Sequence, residues 1–213
     1  PLARQGTDVI GQARTGSGKT AAFGLPILER CQPTGSLQAL VLAPTRELAN
    51  QVAEEFKLLQ GDTGLTILTV YGGTDLEKQA KTLGKGVDII VGTPGRVMDM
   101  SERGHIDLAS PRLLCLDEAD RMLDMGFIPD IERIVKLLPF TRQTLFFSAT
   151  MPPEITRLSE QFLQAPKRIE VAPPSSTNKN VSQTLIEVAP MKKRAALRTL
   201  FDREEVTNGI IFC

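Results

Sequence analysis

The stretch 13-ARTGSGKT-20 follows a short apolar run, 7-TDVIG-11, and leads into a segment of helical character. Strand, glycine-rich loop and helix start in that order make a phosphate-binding loop. Gly16 and Gly18 let backbone N–H groups curl around phosphate oxygens with no side chain in the way. Lys19 is placed to reach the β and γ phosphates of a nucleotide, and the Thr20 hydroxyl to coordinate Mg²⁺. The helix beginning there directs its positive end at the same anion. Ala13 stands where the general pattern has its first glycine. The candidate nucleotide-binding residues are therefore Ala13, Arg14, Thr15, Gly16, Ser17, Gly18, Lys19 and Thr20. A glycine-rich turn with an exposed lysine is the plainer alternative, and the strand–loop–helix context argues against it.

Outward from this loop, short aliphatic runs alternate with longer segments of helical period. The runs are 7–11, 38-QALVLA-43, 65-LTILTVY-71, 87-VDIIVG-92, 112-RLLCLD-117, 143-QTLFFS-148 and 167-KRIEV-171. Leu48, Val52 and Phe56 recur at helical spacing, as do Ile131, Val135 and Leu138. Several runs are nearly continuous in apolar residues, which marks strands buried on both faces. An α/β fold follows, with a mostly parallel sheet flanked by helices.

The segment 117-DEAD-120 comes directly after 113-LLCL-116. A carboxylate at the C-terminal end of a buried strand is what holds Mg²⁺ beside a phosphate loop. Asp117 has that place, acting partly through water. Glu118 is positioned to orient or deprotonate an attacking water. Lys19, Asp117 and Glu118 are thus the candidate catalytic residues, and Thr20 and Asp117 the candidate metal ligands. An acidic helix N-terminus competes as an explanation for the motif taken alone. The phosphate loop upstream decides against it.

Composition narrows the class without naming the chemistry. The chain has 213 residues, 41% of them hydrophobic and 23% charged, enough to bury a core. No apolar run approaches the roughly eighteen residues of a membrane span. Lys and Arg together number 25 and so do Asp and Glu, so net charge does not announce a nucleic-acid binder. Cys31, Cys115 and Cys213 are too few and too scattered for a disulfide scaffold or zinc site, which points to a reducing cytoplasm.

Three further motifs place helix starts after strands. In 44-PTRELA-49, Thr45 caps a helix; in 72-GGTDLE-77, Thr74 and Glu77 form a capping-box pattern; in 93-TPGR-96, Thr93 caps and Pro94 opens the helix. All three emerge at the C-terminal edge of one sheet with N–H groups suited to phosphate. Arg46 and Arg96 add charge. Such an edge grips a sugar–phosphate chain without reading bases, although ordinary helix capping explains any one of these sites alone. Ser148 and Thr150 of 148-SAT-150 are placed to hydrogen-bond toward Asp120. His105 reads as a loop residue, and Cys115, Phe146 and Phe147 as core.

Taken in order and spacing, ARTGSGKT, 44-PTRELA-49, Gly72-Gly73, 93-TPGR-96, 117-DEAD-120 and 148-SAT-150 make this chain resemble the DEAD-box RNA helicases. The stretches 117-DEADRMLDMGF-127 and 145-LFFSATMPPEI-155 are similar to the bacterial RhlE-like branch. The resemblance implies a RecA-like domain of an ATP- and Mg²⁺-dependent motor that locally separates RNA duplexes. It implies RNA-backbone contact by Pro44, Thr45, Arg46, Gly72, Gly73, Thr93, Pro94, Gly95 and Arg96. Asp120, Ser148 and Thr150 would couple nucleotide state to RNA. By this reading residues 1–172 are the first domain, 173–180 a Pro/Ser/Asn-rich linker, and 181–213 the start of a second RecA-like domain. That start is a strand at 181–188, a helix at 191–205 and a strand at 209–213. The family's adenine-reading glutamine belongs upstream of Pro1, and neither Gln5 nor Gln12 is at its position. The second domain's arginine belongs beyond Cys213, so the chain by itself is expected to be inactive. A P-loop ATPase of another class, such as a DNA translocase, and a non-hydrolysing nucleotide- or RNA-binding module remain alternatives.

Overall fold

A computed structural model describes residues 1–14, 16–171, 184–202 and 208–209. The chain divides into two units, Pro1–Pro174 and Ser175–Cys213. In the first, strands and helices alternate as the apolar runs require. They are β1 (Val9–Gln12), α1 (Lys19–Arg30), β2 (Ala39–Leu42), α2 (Arg46–Leu59), β3 (Ile67–Val70), α3 (Leu76–Leu83) and β4 (Ile89–Gly92). Then follow α4 (Pro94–Glu102), β5 (Leu113–Leu116), α5 (Ala119–Asp124), α6 (Ile128–Leu137), β6 (Gln143–Ser148), α7 (Pro153–Phe162) and β7 (Lys167–Glu170). The strands form one sheet in the order β3-β4-β2-β5-β6-β1-β7, and every pairing is parallel.

Both faces of the sheet are covered, which is why its central strands read as unbroken apolar runs. Leu40 and Leu42 point to one face, where Val97, Met122, Ile134 and Leu158 of four helices meet them. Ala39 and Val41 point to the other, against Phe23 and Ile27 of α1 and Val52 and Phe56 of α2. Cys115, Phe146 and Phe147 are buried, as the sequence predicts. The edge strands are less covered, and β7 is exposed along its length.

Parallel pairing puts every strand's C-terminal end at one edge of the sheet, and strand order then sorts the loops that leave it. The loops after β1, β5 and β6 adjoin one another, bringing together 13–14, 16–18, 117–118 and 149–152. The loops after β2, β3 and β4 form a second neighbourhood, from 43–45, 71–75 and residue 93.

The second unit departs from expectation. No strand forms over 184–189, although one is predicted at 181–188; residues 181–183 lie outside the described residues. Leu185 is 86% exposed, and among the described residues of this unit no strand is available to pair with it. A strand without a partner leaves its N–H and C=O groups unmatched. Of the helix predicted at 191–205, the described part is a 3₁₀ turn, Pro190–Lys192, running into α8 (Lys193–Phe201), and residues 203–205 lie outside the described residues. Residues 208–209 have no regular structure, and the predicted linker and residues 210–213 lie outside the described residues.

Candidate active site

The phosphate loop leaves β1 and enters α1 at Lys19. Gly16 and Gly18 take φ of 79° and 81°, the left-handed region that glycine enters freely. Open space lies where a Cβ would stand on either one, so the backbone conformation, not crowding, demands glycine there. The Ala13 N–H donates to the Ser148 carbonyl at 3.1 Å, tying the loop to β6. Arg14 and Ser17 are exposed and Thr20 half-buried, while Thr15 lies outside the described residues.

Lys19 and Asp117 meet at the base of this loop. Their side chains are each 8% exposed, and Lys19 Nζ stands 4.0 Å from Asp117 Oδ1. Neither atom has a hydrogen-bond partner. Two buried, opposite, unsatisfied charges at that separation are costly unless something else completes them. Asp117 shows the cost directly: burial pushes its carboxyl up to about 6 against the opposing pull of Lys19, and Glu118 and Asp120 add to the rise. A cavity of about 250 Å³ opens here, lined by Gly16, Gly18, Lys19, Thr20, Asp117 and Glu118 and closed by α2. The unmatched donor suits a phosphate oxygen and the unmatched carboxylate oxygen suits a hard cation. Among the described residues no cluster of three or more His, Cys, Asp or Glu could cage a metal.

The raised carboxyl has a measurable consequence. Folded Asp117 titrates near 6 and its ordinary value is 3.8, so between these the folded state holds more protons. Stability should therefore fall as pH rises through that window, by about 2–3 kcal/mol in full. Asp117→Asn removes the titration. Melting curves without nucleotide should show the wild type losing ground to this variant between about pH 4 and about pH 7. Parallel curves across that range would mean Asp117 is not buried as an unmet charge.

Glu118, at the start of α5, has φ 54° and ψ 53°. A non-glycine residue held there stores about 1–3 kcal/mol of strain, a feature that clusters at functional sites. Its carboxylate, 12% exposed, faces Arg121 Nη1 at 3.4 Å. The i,i+3 spacing of Glu118 and Arg121 is the sequence signal for this contact, which no motif marks.

Asp120, Ser148 and Thr150 come together as expected. The Asp120 N–H donates to Ser148 Oγ at 3.1 Å, and Thr150 donates to Asp120 Oδ2 from its N–H at 2.9 Å and its Oγ1 at 2.8 Å. Burial alone would raise the Asp120 carboxyl; the hydrogen bonds from Thr150 and at Ser148 outweigh it and hold it below the ordinary value. β5 and β6 are thereby locked together just beyond their pairing.

The second loop neighbourhood matches the expectation in part. Thr45 caps α2, accepting from the Leu48 N–H at 3.3 Å. The Thr74–Glu77 capping box does not form. α3 begins one residue later than that pattern requires, so Asp75 is the cap and accepts from Glu77 and Lys78 N–H at 2.9 and 3.3 Å. Thr74 Oγ1 instead donates to the Tyr71 carbonyl at 3.1 Å. Thr93 occupies the cap position of α4, with Pro94 next, but its side chain makes no cap bond. Gly72 and Gly73 are exposed, with Gly73 at φ 79°. The two arginines differ sharply. Arg46 is 53% exposed and paired with its neighbour Glu47 at 3.2 Å. Arg96 is 14% exposed, its Nε 3.8 Å from Asp99, and both Nη atoms donate to the Thr74 carbonyl at 3.3 and 3.4 Å.

A parallel sheet covered on both faces, with a glycine loop, a buried lysine and a strand-end aspartate at one edge, defines a P-loop domain of RecA-like architecture. The chain matches the DEAD/DEAH box helicase family over residues 1–158 and belongs to it. It is 47% identical over its whole length to the RNA helicase CrhR of Synechocystis sp., spanning 43% of that protein. It is 46% identical over its whole length to the DEAD-box ATP-dependent RNA helicase CshA of Bacillus subtilis, again spanning 43%. The chain thus spans less than half the length of the curated relatives it matches. Among solved structures it resembles a DEAD box protein from Methanococcus jannaschii, with a TM-score of 0.77 and 40% identity over 95% of this chain and 55% of that one. These relatives are named CrhR and CshA and give no support to the narrower RhlE-like branch.

Proposed function

We propose that this chain is the ATP- and Mg²⁺-binding half of an ATP-dependent RNA helicase, which couples ATP binding and hydrolysis to local separation of RNA duplexes. The observation that carries the reading is the buried, unsatisfied Lys19–Asp117 pair opening into the phosphate-loop cavity. Beside it stands the second neighbourhood, where three helices start on adjacent strands. In this reading Lys19 and the loop N–H groups of residues 13–20 hold the ATP phosphates, and Glu118 orients the attacking water and takes its proton. Thr20 and Asp117 hold Mg²⁺, Asp117 partly through water. Bound there, the ion neutralises charge on the phosphate oxygens. Residues 44–46, 72–73 and 93–96 grip the backbone of an RNA strand without reading its sequence, and Asp120, Ser148 and Thr150, whose bonds lie within the nucleotide neighbourhood, couple nucleotide state to RNA.

The domain plan belongs to the same proposal: 1–172 is the first RecA-like domain, 173–180 a linker, and 181–213 the start of a second. That second domain supplies a transition-state arginine, a group worth about 10³–10⁵ in rate in related NTPases. A reducing cytoplasm is the proposed setting, in keeping with the buried free thiols of Cys31 and Cys115. Steady-state ATP hydrolysis by the full-length protein tests the reading. Stimulation by single-stranded RNA and not by DNA of matched sequence is expected. Equal stimulation by DNA would favour a DNA translocase, and nucleotide binding with no turnover would leave only a binding module.

A further inference from the structure

Gln79 lies in α3 and belongs to none of the motifs. Its amide makes three hydrogen bonds: Nε2 donates to the Tyr71 carbonyl at 3.2 Å and to Thr74 Oγ1 at 2.6 Å, and Oε1 accepts from Arg96 Nη1 at 3.2 Å. Arg96 closes the ring through the Thr74 carbonyl. From the other side, Asn50 Nδ2 of α2 donates to the Tyr71 hydroxyl at 3.3 Å. These bonds run from α2 across the 71–75 turn to α4, and so join the three helix starts of the second neighbourhood.

The turn has little else to hold it. Gly72, Gly73, Thr74 and Asp75 are all exposed, and α3 contains no fully buried residue. The strand beneath it, β3, is a half-buried sheet edge. Tyr71 and Leu76 on either side pack partly against the two core clusters, but 72–75 between them lie outside that packing, so the shape of the turn depends on polar side chains that pair across it. Gln79 is the one that touches both ends of the turn and the arginine beyond it. The same bonds engage much of Arg96: its Nη atoms are given to Thr74 and Gln79 within the protein. Of the two arginines at this edge, Arg46 is the exposed one.

We propose that Gln79 is the positioning residue of the RNA-gripping edge. It holds the 71–75 turn so that the Gly72–Gly73 backbone faces the strand, and it orients Arg96 beside that turn for its own backbone contact, without itself touching RNA. The inference rests on the RNA-helicase reading. It carries a signature that a phosphate contact lacks. An uncharged positioning residue changes affinity without changing the number of counterions released, whereas losing a phosphate contact flattens the salt dependence by about 0.7 on single strands.

The test measures binding of a uridine homopolymer to the full-length protein at several salt concentrations, with a non-hydrolysable ATP analogue present. Gln79→Met keeps length and helix preference and removes all three bonds. It should weaken binding by about 2–30-fold with the wild-type salt slope. The RNA concentration for half-maximal ATPase stimulation should rise in step, with the rate at saturating RNA retained, which a general loss of stability would not produce. Arg46→Ala should flatten the slope. Adding Gln79→Met to Arg96→Ala should weaken binding no further, because one network is already broken. Should Gln79→Met fail to fold, Thr74→Val removes one of the three bonds and should act in the same direction. Wild-type affinity in the folded glutamine variant, or full additivity with Arg96→Ala, overturns the inference and leaves the RNA reading standing. Absence of RNA binding by the wild type overturns both.

Discussion

Glu118→Gln should cut ATP hydrolysis by about 10²–10⁴-fold while leaving ATP and RNA binding intact. The amide keeps the size and shape of the carboxylate, and the backbone that places it is fixed by β5 behind and α5 ahead. What it loses is the ability to take a proton from water. The strained backbone at Glu118 sharpens the expectation. A residue held at φ 54° by its surroundings is held by more than its own side chain, so the substitution should not release the turn. The carboxylate's neighbour Arg121 is 53% exposed, so losing that contact costs little. Binding without turnover should trap the complex with RNA. Single-turnover hydrolysis measured beside RNA affinity checks both halves, and near-normal hydrolysis would remove Glu118 from the chemistry.

Lys19→Ala should weaken ATP binding or lower turnover by about 10²–10³-fold, the range seen when one preorganised charge-stabilising donor is removed. Its effect on the protein itself depends on pH. Lys19 opposes the burial-driven rise of the Asp117 carboxyl. Without it the folded-state value climbs further above the ordinary 3.8, and more stability is lost as pH rises through the new value. At about pH 5 the variant should melt close to wild type, and at neutral pH distinctly below it. A pH-independent deficit would mean that Lys19 acts as core packing, and normal turnover would mean that the loop does not serve phosphate.

Much of this architecture was legible because burial writes itself into composition. Runs such as 113-LLCL-116 and 145-LFF-147 are apolar on both faces, as strands of a covered parallel sheet are. Each of the seven strand-like runs became a strand of that sheet, including 167-KRIEV-171, which is mixed in composition and exposed. The phosphate loop was legible because positive φ at Gly16 and Gly18 restricts residue choice. Side-chain pairing across loops was not. Whether Thr74 or Asp75 caps α3 turns on a one-residue difference in where the helix starts, below what periodicity resolves. The Arg96 bonds to Thr74 and Gln79 span 22 and 17 residues and leave no local pattern. The strand predicted at 181–188 needs a partner strand, which a local stretch of sequence cannot supply.

The central claim is that one loop neighbourhood at the C-terminal edge of the sheet binds ATP and the adjacent neighbourhood binds RNA, and that the two are coupled. Coupling is a free energy, so it is read most directly as a change in affinity. The deciding measurement is the affinity of the full-length protein for a single-stranded RNA, with Mg²⁺ and either ADP or a non-hydrolysable ATP analogue. Binding about 5–150-fold tighter with the analogue is expected, together with a reciprocal tightening of the analogue by RNA. Equal RNA affinity in the two nucleotide states would contradict the account.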